Sequence, residues 1–384
     1  MNFAFSVDQR SIADVARRFA AEQLAPFYSE REREGRIAPE VIRRMGELGL
    51  IGAELPAGYG GLGISGVSAG VIIEEIAYAD INVAYVQLLA SLNGAMLAAH
   101  AAEAAASEFI PRMCAGECIM ALALTEPGGG SDAAHLTTRA RKRRGDYLVS
   151  GEKTSISMAE QADHALLFAR TDPEVKGAGG VTAFIVPLDA PGVARSTTSD
   201  VGSGAVGRGS IFLEEVVVPA GYRVGEEGQG FRQVMQGFDY SRALIGLQCL
   251  APARASVAET WDYVAERRAF GHPLARYQGV TEPLAEAETQ LEAARLLCFK
   301  TLWMRDEKLS HTREAAMCKW WAPKTAFEAI HQCLLLHGHG GYSRDLPHQQ
   351  RLRDVLGLQI GDGTQQIQKM IIAREKVGRI AVPY

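Results

Sequence analysis

The chain has 384 residues, a formal net charge of −5 and a pI of about 6.0; 47% of its residues are hydrophobic, 22% are charged, and the mean hydropathy is −0.03. That length calls for two or three domains, because single cores stop growing at roughly 250–300 residues. The acidic balance offers no electrostatic footprint for nucleic acid, and no apolar run reaches the roughly 18 residues that a membrane span needs. The N-terminus is polar and charged by residue 10 and does not read as a secretory signal. The six cysteines (Cys114, Cys118, Cys249, Cys298, Cys318, Cys333) are scattered and form no CxxC pair, which favours buried thiols in a reducing compartment over metal or disulfide roles. The expectation is a cytoplasmic protein with neither a membrane nor a nucleic-acid partner.

Residues 1–118 read as a helical domain. Ile12, Val15, Ala16, Phe19 and Ala20 recur at helical spacing, as do Val41, Met45 and Leu48, and alanine is dense from Ala77 to Ala106. The stretch Leu55 to Gly63 is interrupted by a proline and four glycines and is a loop. Near residue 119 the period changes to two. Ile119–Thr125, Tyr147–Ser150, Ala165–Ala169, Thr182–Val186 and Ile211–Val218 are short β-rich runs, and Arg143 to Asp146 reads as a hairpin tip. The basic cluster Arg139 to Arg144 is then a solvated hairpin, and residues 119–225 form a β-domain or barrel. Residues 226–384 return to helices: a long one from Phe231 towards Arg267, then about 281–306, 312–336 and 364–378.

Several glycine-rich stretches can carry chemistry. In Gly361-Asp362-Gly363-Thr364-Gln365-Gln366, the run Val355 to Ile360 leads in as a short buried segment, and Thr364 can cap the helix that follows. The glycines leave the backbone beside Asp362 uncrowded and free in φ, so the loop is either an Asx turn with a cap or a carboxylate base held against a planar ligand. Thr125-Glu126-Pro127-Gly128-Gly129-Gly130-Ser131-Asp132 follows a strand and can offer backbone N–H groups to a phosphate or heterocycle. It lacks the Lys-Ser/Thr of a phosphate-binding P-loop, so taken alone it reads first as a structural loop, with the ligand-binding reading left open. Arg267 ends the long helix, where a cation is favourable on dipole grounds alone. His337 and His339 form an HxH pair without a third ligand. No GxSxG or HExxH motif occurs.

Taken together and in order, these motifs resemble the acyl-CoA dehydrogenase family along essentially the whole chain. The shared features are Thr125 to Asp132, the hairpin Gly145 to Lys153, Gly228-Gln229-Gly230-Phe231, and Asp239 with Arg242. Further along come Arg267, Phe270, Gly271 and Gln278, then Gly363-Thr364, Gln366-Ile367-Gln368 and Ala373-Arg374-Glu375. The resemblance implies an α+β multi-domain fold: an N-terminal α-helical domain, a central β-barrel and a C-terminal four-helix bundle, assembled as a homotetramer or dimer. It implies FAD between the β-domain and the bundle, with Leu122, Leu124, Thr125, Ser131, Ile156, Ser157, Thr364 and Gln366 at the cofactor. Arg267, Phe270 and Gln278 would reach the flavin of a neighbouring subunit, the guanidinium giving permanently charged, bidentate phosphate binding. Ser131, Asp239, Arg242 and Gly363 map to the substrate and CoA contacts, and an electron-transfer flavoprotein is the implied electron acceptor.

The implied reaction is α,β-dehydrogenation of an acyl thioester, a carboxylate taking the α-proton while the β-hydride passes to flavin N5. The family's base is a Glu before Gly-Thr; here Asp362 stands there, shorter by one C–C bond, about 1.5 Å. The family's second location for the base aligns with Ser241, which cannot serve, so Asp362 is the candidate, with a pKa expected above that of an ordinary aspartate. Ser155 stands where the family usually has a Trp beside the flavin, which opens the site. This pairing of a short base with an open pocket resembles the branch acting on alicyclic thioesters, so the expected conversion is cyclohexanecarboxyl-CoA to cyclohex-1-ene-1-carboxyl-CoA. Tyr85 to Ser91, the expected floor of the acyl pocket, offers no second acid for a 1,4-dehydrogenation. The alternatives are a dehydrogenase for short branched or carrier-protein-bound acyl groups, and a flavin-binding homologue without dehydrogenase activity.

Overall fold

The structure is a computed structural model that describes residues 4–175 and 177–382. Its first helix, α1 (Val7–Phe19), starts at a capping box in which Ser6 accepts from the Gln9 backbone and Gln9 answers in kind. There follow α2 (Tyr28–Glu34), α3 (Pro39–Glu47), α4 (Gly66–Ala79), α5 (Ala84–His100) and α6 (Glu103–Cys114). The α4 and α5 sequences are apolar on nearly every side, and both helices are buried accordingly. Gly70 lets α4 approach the bundle closely: a Cβ there would stand 2.5 Å from Leu302.

The middle of the chain forms β1 (Met120–Ala123), β2 (Arg139–Arg143), β3 (Asp146–Ile156), β4 (His164–Arg170), β5 (Val181–Pro187), β6 (Val193–Thr197), β7 (Gly209–Val218) and β8 (Arg223–Val224). They join in one sheet of order β6-β7-β3-β2-β4-β5-β8, with β1 added parallel to β4. β1 also touches β3 and β5 touches β7, so the sheet folds over on itself. A central β-domain stands where the barrel was expected, but no strand pair among the described residues closes it into a ring. The hairpin tip falls at Arg144-Gly145, both at positive φ as a tight two-residue turn requires. On β2 only Ala140 is buried, which leaves the basic cluster in solvent.

The remainder is α7 (Gly230–Glu266), β9 (Arg268–Ala269), β10 (His272–Pro273), α8 (Gln278–Asp306), α9 (Thr312–Leu336), α10 (His339–Tyr342), α11 (His348–Gly357) and α12 (Gln365–Val377). α7, α8 and α9 pack on one another, and α9 carries α11 and α12. The segment 355–360 is not the buried run read from its composition. It is the end of α11 and a following turn, so burial keeps helical spacing: Val355 and Leu358 are inside, while Ile360 is 66% exposed. The six cysteines are free and buried, as expected. No helix among the described residues is long and apolar enough to cross a membrane.

Asp354 on α11 ties the three parts together. Its carboxylate accepts from the Tyr28 hydroxyl at 2.6 Å, Asn82 Nδ2 at 2.9 Å and the Ser203 backbone N–H at 2.6 Å. Burial pushes its carboxyl up to about 6 against the pull of those donors. Asp354→Ala strands all three donors, and because each orphaned buried group costs roughly 1–3 kcal/mol, the apparent Tm is expected to fall by several degrees. An unchanged melting curve in differential scanning calorimetry contradicts this role.

Candidate active site

Three stretches of chain meet around Asp362. The first is its own loop, between α11 and α12. Asp362 itself takes the left-handed conformation, φ 53°, followed by Gly363 at φ 92°. The conformational freedom read into both flanking glycines is therefore used at Gly363 alone, and Asp362 is among the few side-chain types that tolerate this region. A Cβ on Gly363 would meet Gln368 Nε2 at 2.6 Å. That amide is there for a reason: it donates to the carbonyls of Asp362 and Gly363, at 3.1 Å each. Thr364 caps α12 by accepting from the Ile367 N–H at 3.5 Å, and Gln366 is exposed beside it.

The second stretch lies under the loop. Lys319 on α9 is 1% exposed; its Nζ donates to the Leu358 carbonyl at 2.6 Å and approaches the Gly363 carbonyl at 3.4 Å. Burial pushes this ammonium down to about 8, opposed by the attraction of Asp362. Arg242 on α7 is buried as well. It donates to Asp239 at 2.9 Å, whose other oxygen is held by Thr312 at 2.6 Å, while Arg242 Nε has no hydrogen-bond partner among the described residues. Burial raises the pKa of Asp362 above the ordinary carboxylate value even though Lys319, Arg242 and Arg208 all pull it down. The result is a carboxyl group kept more basic than in water, among cations that hold it in place.

The third stretch comes from the β-domain. Leu122 is half-buried on β1 and Leu124 buried just after it, Ile156 is buried at the end of β3, and Ser157 is half-buried just beyond it. Two bonds join them: Lys153 Nζ to the Leu124 carbonyl at 3.0 Å, and the Thr154 N–H to the Thr125 carbonyl at 2.9 Å. Ser155 is exposed in a left-handed bulge, φ 56°. The glycine-rich loop after Thr125 is fastened by Glu126, which is 5% exposed. Glu126 forms an ion pair with Lys153 at 2.7 Å and accepts from the Thr137 and Thr138 N–H groups at 2.6 and 3.0 Å. Lys153 and those donors hold its carboxyl down at about 2 despite burial, and burial brings Lys153 down to about 8. Beyond this clamp the loop faces outward: Ser131 is exposed, and a Cβ at Gly128 or Gly130 would meet nothing within 4 Å.

Arg267, Phe270 and Gln278 lie elsewhere, in the exposed segment that runs from the end of α7 to the start of α8. Phe270 is 94% exposed at a strained φ of 49°. In the HxH pair, His337 stacks on Tyr263 at 4.1 Å, and among the described residues no group of three or more His, Cys, Asp or Glu side chains is placed to hold a metal ion. Sequence reasoning missed Lys319 and Arg208, and had Tyr85 only as the start of the expected pocket floor. Lys319 left a faint signal, a lone cation in the otherwise apolar run Ala315, Ala316, Cys318, Ala322; Arg208 left none.

The donor set suits a flavin dinucleotide. An outward glycine loop and hydroxyls at Thr125 and Ser131 suit a pyrophosphate, and the backbone at Ile156-Ser157 can edge a planar ring. Comparison with known proteins agrees with this class of site. The acyl-CoA dehydrogenase N-terminal, middle and C-terminal domain models match residues 6–117, 121–216 and 228–377. The caffeyl-CoA reductase-Etf complex subunit CarC of Acetobacterium woodii is 32% identical, over 96% of this chain and 98% of that protein. Butyryl-CoA dehydrogenase from Megasphaera elsdenii has a TM-score of 0.95 at 31% identity, covering 98% of this chain and 100% of that one. A glutaryl-CoA dehydrogenase from Mycobacterium smegmatis in complex with FADH2 has a TM-score of 0.92 at 25% identity, covering 97% and 95%.

The chain belongs to the acyl-CoA dehydrogenase family, flavin-dependent oxidoreductases that bind FAD and dehydrogenate acyl-CoA thioesters. A direct test of the loop clamp is Glu126→Ala, which leaves Lys153 buried without its counter-charge. Such a loss costs roughly 3–5 kcal/mol, whereas replacing both partners by apolar residues is often near neutral. The single variant should melt well below wild type, and Glu126→Leu with Lys153→Met should recover most of the loss. Equal melting temperatures for wild type and the single variant contradict the clamp.

Proposed function

We propose that this chain is an FAD-dependent dehydrogenase of a ring-bearing acyl-CoA, converting cyclohexanecarboxyl-CoA to cyclohex-1-ene-1-carboxyl-CoA. The observation that carries the reading is the state of Asp362: a half-buried carboxylate on a rigid loop, ringed by cations and raised in pKa. Asp362 takes the α-proton of the thioester as general base, and its raised pKa improves it for that task. Bound between the β-domain and the bundle, FAD supplies the acceptor for the β-hydride. Leu122, Leu124, Thr125, Ser131, Ile156, Ser157, Thr364 and Gln366 hold the cofactor. Asp239, Arg242, Ser131 and Gly363 hold the CoA thioester, and the unpartnered Arg242 Nε is a donor kept free for it.

The short base and Ser155 favour a branched α-carbon. An aspartate reaches less far, and the exposed serine leaves room where a large ring would otherwise cover the site. The working unit is a homotetramer or dimer of three-domain chains divided at 118/119 and 225/226. Arg267, Phe270 and Gln278 complete the cofactor site of a neighbour, a role suited to side chains on an exposed, strained segment. Electrons leave to an electron-transfer flavoprotein in the cytoplasm.

Anaerobic titration of the yellow holoenzyme tests this. Cyclohexanecarboxyl-CoA should bleach the flavin, and no bleaching by it, isobutyryl-CoA or butyryl-CoA contradicts the dehydrogenase reading. Asp362→Ala should keep the flavin and lose roughly 100- to 10,000-fold in reduction rate. The rate should rise with pH through one ionisation, as Asp362 deprotonates, at a pH above the ordinary carboxylate value. Lys319→Met withdraws a neighbouring cation, so the charged carboxylate is less favoured and that ionisation should move to higher pH; a shift to lower pH contradicts the assignment.

A further inference from the structure

His348 opens α11, and no part of the chemistry described so far uses it. Its ring is 1% exposed and lies 4.3 Å from that of His337, which in turn stacks on Tyr263 of α7 at 4.1 Å. The two imidazoles differ in their partners. His337 Nδ1 donates to the Cys333 carbonyl at 2.9 Å, since a carbonyl can only accept. His348 Nδ1 is buried and has no hydrogen-bond partner among the described residues. Neutral imidazole can leave one nitrogen bare, but imidazolium carries N–H on both and needs an acceptor for each. At His348 one of those acceptors is missing.

The surroundings add to the cost of a charge there. One turn further along the same face, Arg351 is buried too, and it donates to Ser256 at 3.1 Å and to both oxygens of Glu259 on α7 at 2.7 and 2.8 Å. The carboxylate on this side is therefore committed to another cation. From the end of α9 comes His337, a second base able to charge. His339 and Tyr342 on α10, and Arg344 and Asp345 in the turn before α11, are exposed. The first turn of a helix also disfavours positive charge. Burial, with His337 and Arg351 behind it, pushes the His348 pKa down to about 4 against the pull of Glu259.

We propose that His348 is an acid-sensitive latch: neutral, it lets the first turn of α11 pack on α7 and α9, and protonated, it drives that turn out into solvent. α11 also carries Asp354 and runs out towards the loop of Asp362, so the latch sets how firmly that loop is held, whichever thioester the site takes. Once freed, the imidazole regains its ordinary value of 6.5. Between that pH and about 4 the opened turn binds a proton that the packed turn refuses. Packing is firm above this window and weakens as pH falls through it. Asp354 works the other way. Its carboxyl is lifted to about 6, so taking a proton strengthens the packed state as pH falls, and acid loosening of α11 reports on His348.

Hydrogen exchange of the purified holoenzyme tests this, read by mass spectrometry at about pH 7.5 and about pH 5 and corrected for intrinsic exchange rates. Peptides of α11 should exchange about 10- to 30-fold faster at the lower pH, a factor set by the two ionisation values, while peptides of α8 change little. His348→Leu, which cannot charge, should lose that acid sensitivity, with the yellow flavin spectrum reporting that it has folded and loaded. Equal corrected protection of α11 at both pH values in wild type overturns the latch, and this arm needs no variant to fold. So does an acceleration shared equally by α8, or an acid sensitivity that survives in folded His348→Leu.

Discussion

Lys319 lies beneath a loop whose geometry it fixes, its ammonium set against the carbonyls of Leu358 and Gly363 on either side of Asp362. A buried cation is costly to maintain unless a charge and hydrogen-bond acceptors compensate it. Here a carboxylate and two carbonyls do so, and each group constrains the others. Gln368 holds the same loop from α12, so Asp362 keeps a left-handed backbone that few other residues would accept. The carboxyl group is consequently placed by interactions of the main chain on both sides, while its side chain stays clear of any hydrogen bond in the described structure.

That arrangement depends on the rest of the molecule being in register. α9 supplies Lys319, α7 supplies Arg242, and α12 supplies Gln368, and these three helices pack directly or through α9. The β-domain reaches the same loop through Arg208, whose Nη1 lies 4.0 Å from where a side chain on Gly357 would begin. Asp354 joins the N-terminal helices, the β-domain and the bundle, linking Tyr28, Asn82 and Ser203, only eight residues before Asp362. Small approaches make this possible: Gly70 allows α4 to settle against the bundle, and Glu126 fastens the glycine-rich loop from within.

Much of the fold was legible because its periods are plain. The 37-residue α7 and the helices from Thr312 and Gln365 follow the helical spacing of their apolar residues. β3, β4, β5 and β7 stand at the expected runs. β6 left no alternation to read, because Val193 to Thr197 are exposed along most of their length. The segment 355–360 misled because a short apolar run has the same composition as a buried strand and as a helix end; only packing against α9 decides. At the site, Asp362, Thr364, Arg242 and Glu126 lay within motifs that local chemistry made visible. Arg208 and Lys319 come from distant parts of the chain, and only tertiary structure brings them to one loop.

The central claim is that Asp362 removes the α-proton of an acyl thioester. The most direct measurement is the rate of flavin reduction by cyclohexanecarboxyl-CoA carrying deuterium at the α-carbon, in wild type and in Asp362→Asn. The account predicts a primary isotope effect in wild type and a loss of reduction in the variant with its flavin still bound. Reduction by Asp362→Asn at the wild-type rate would contradict it.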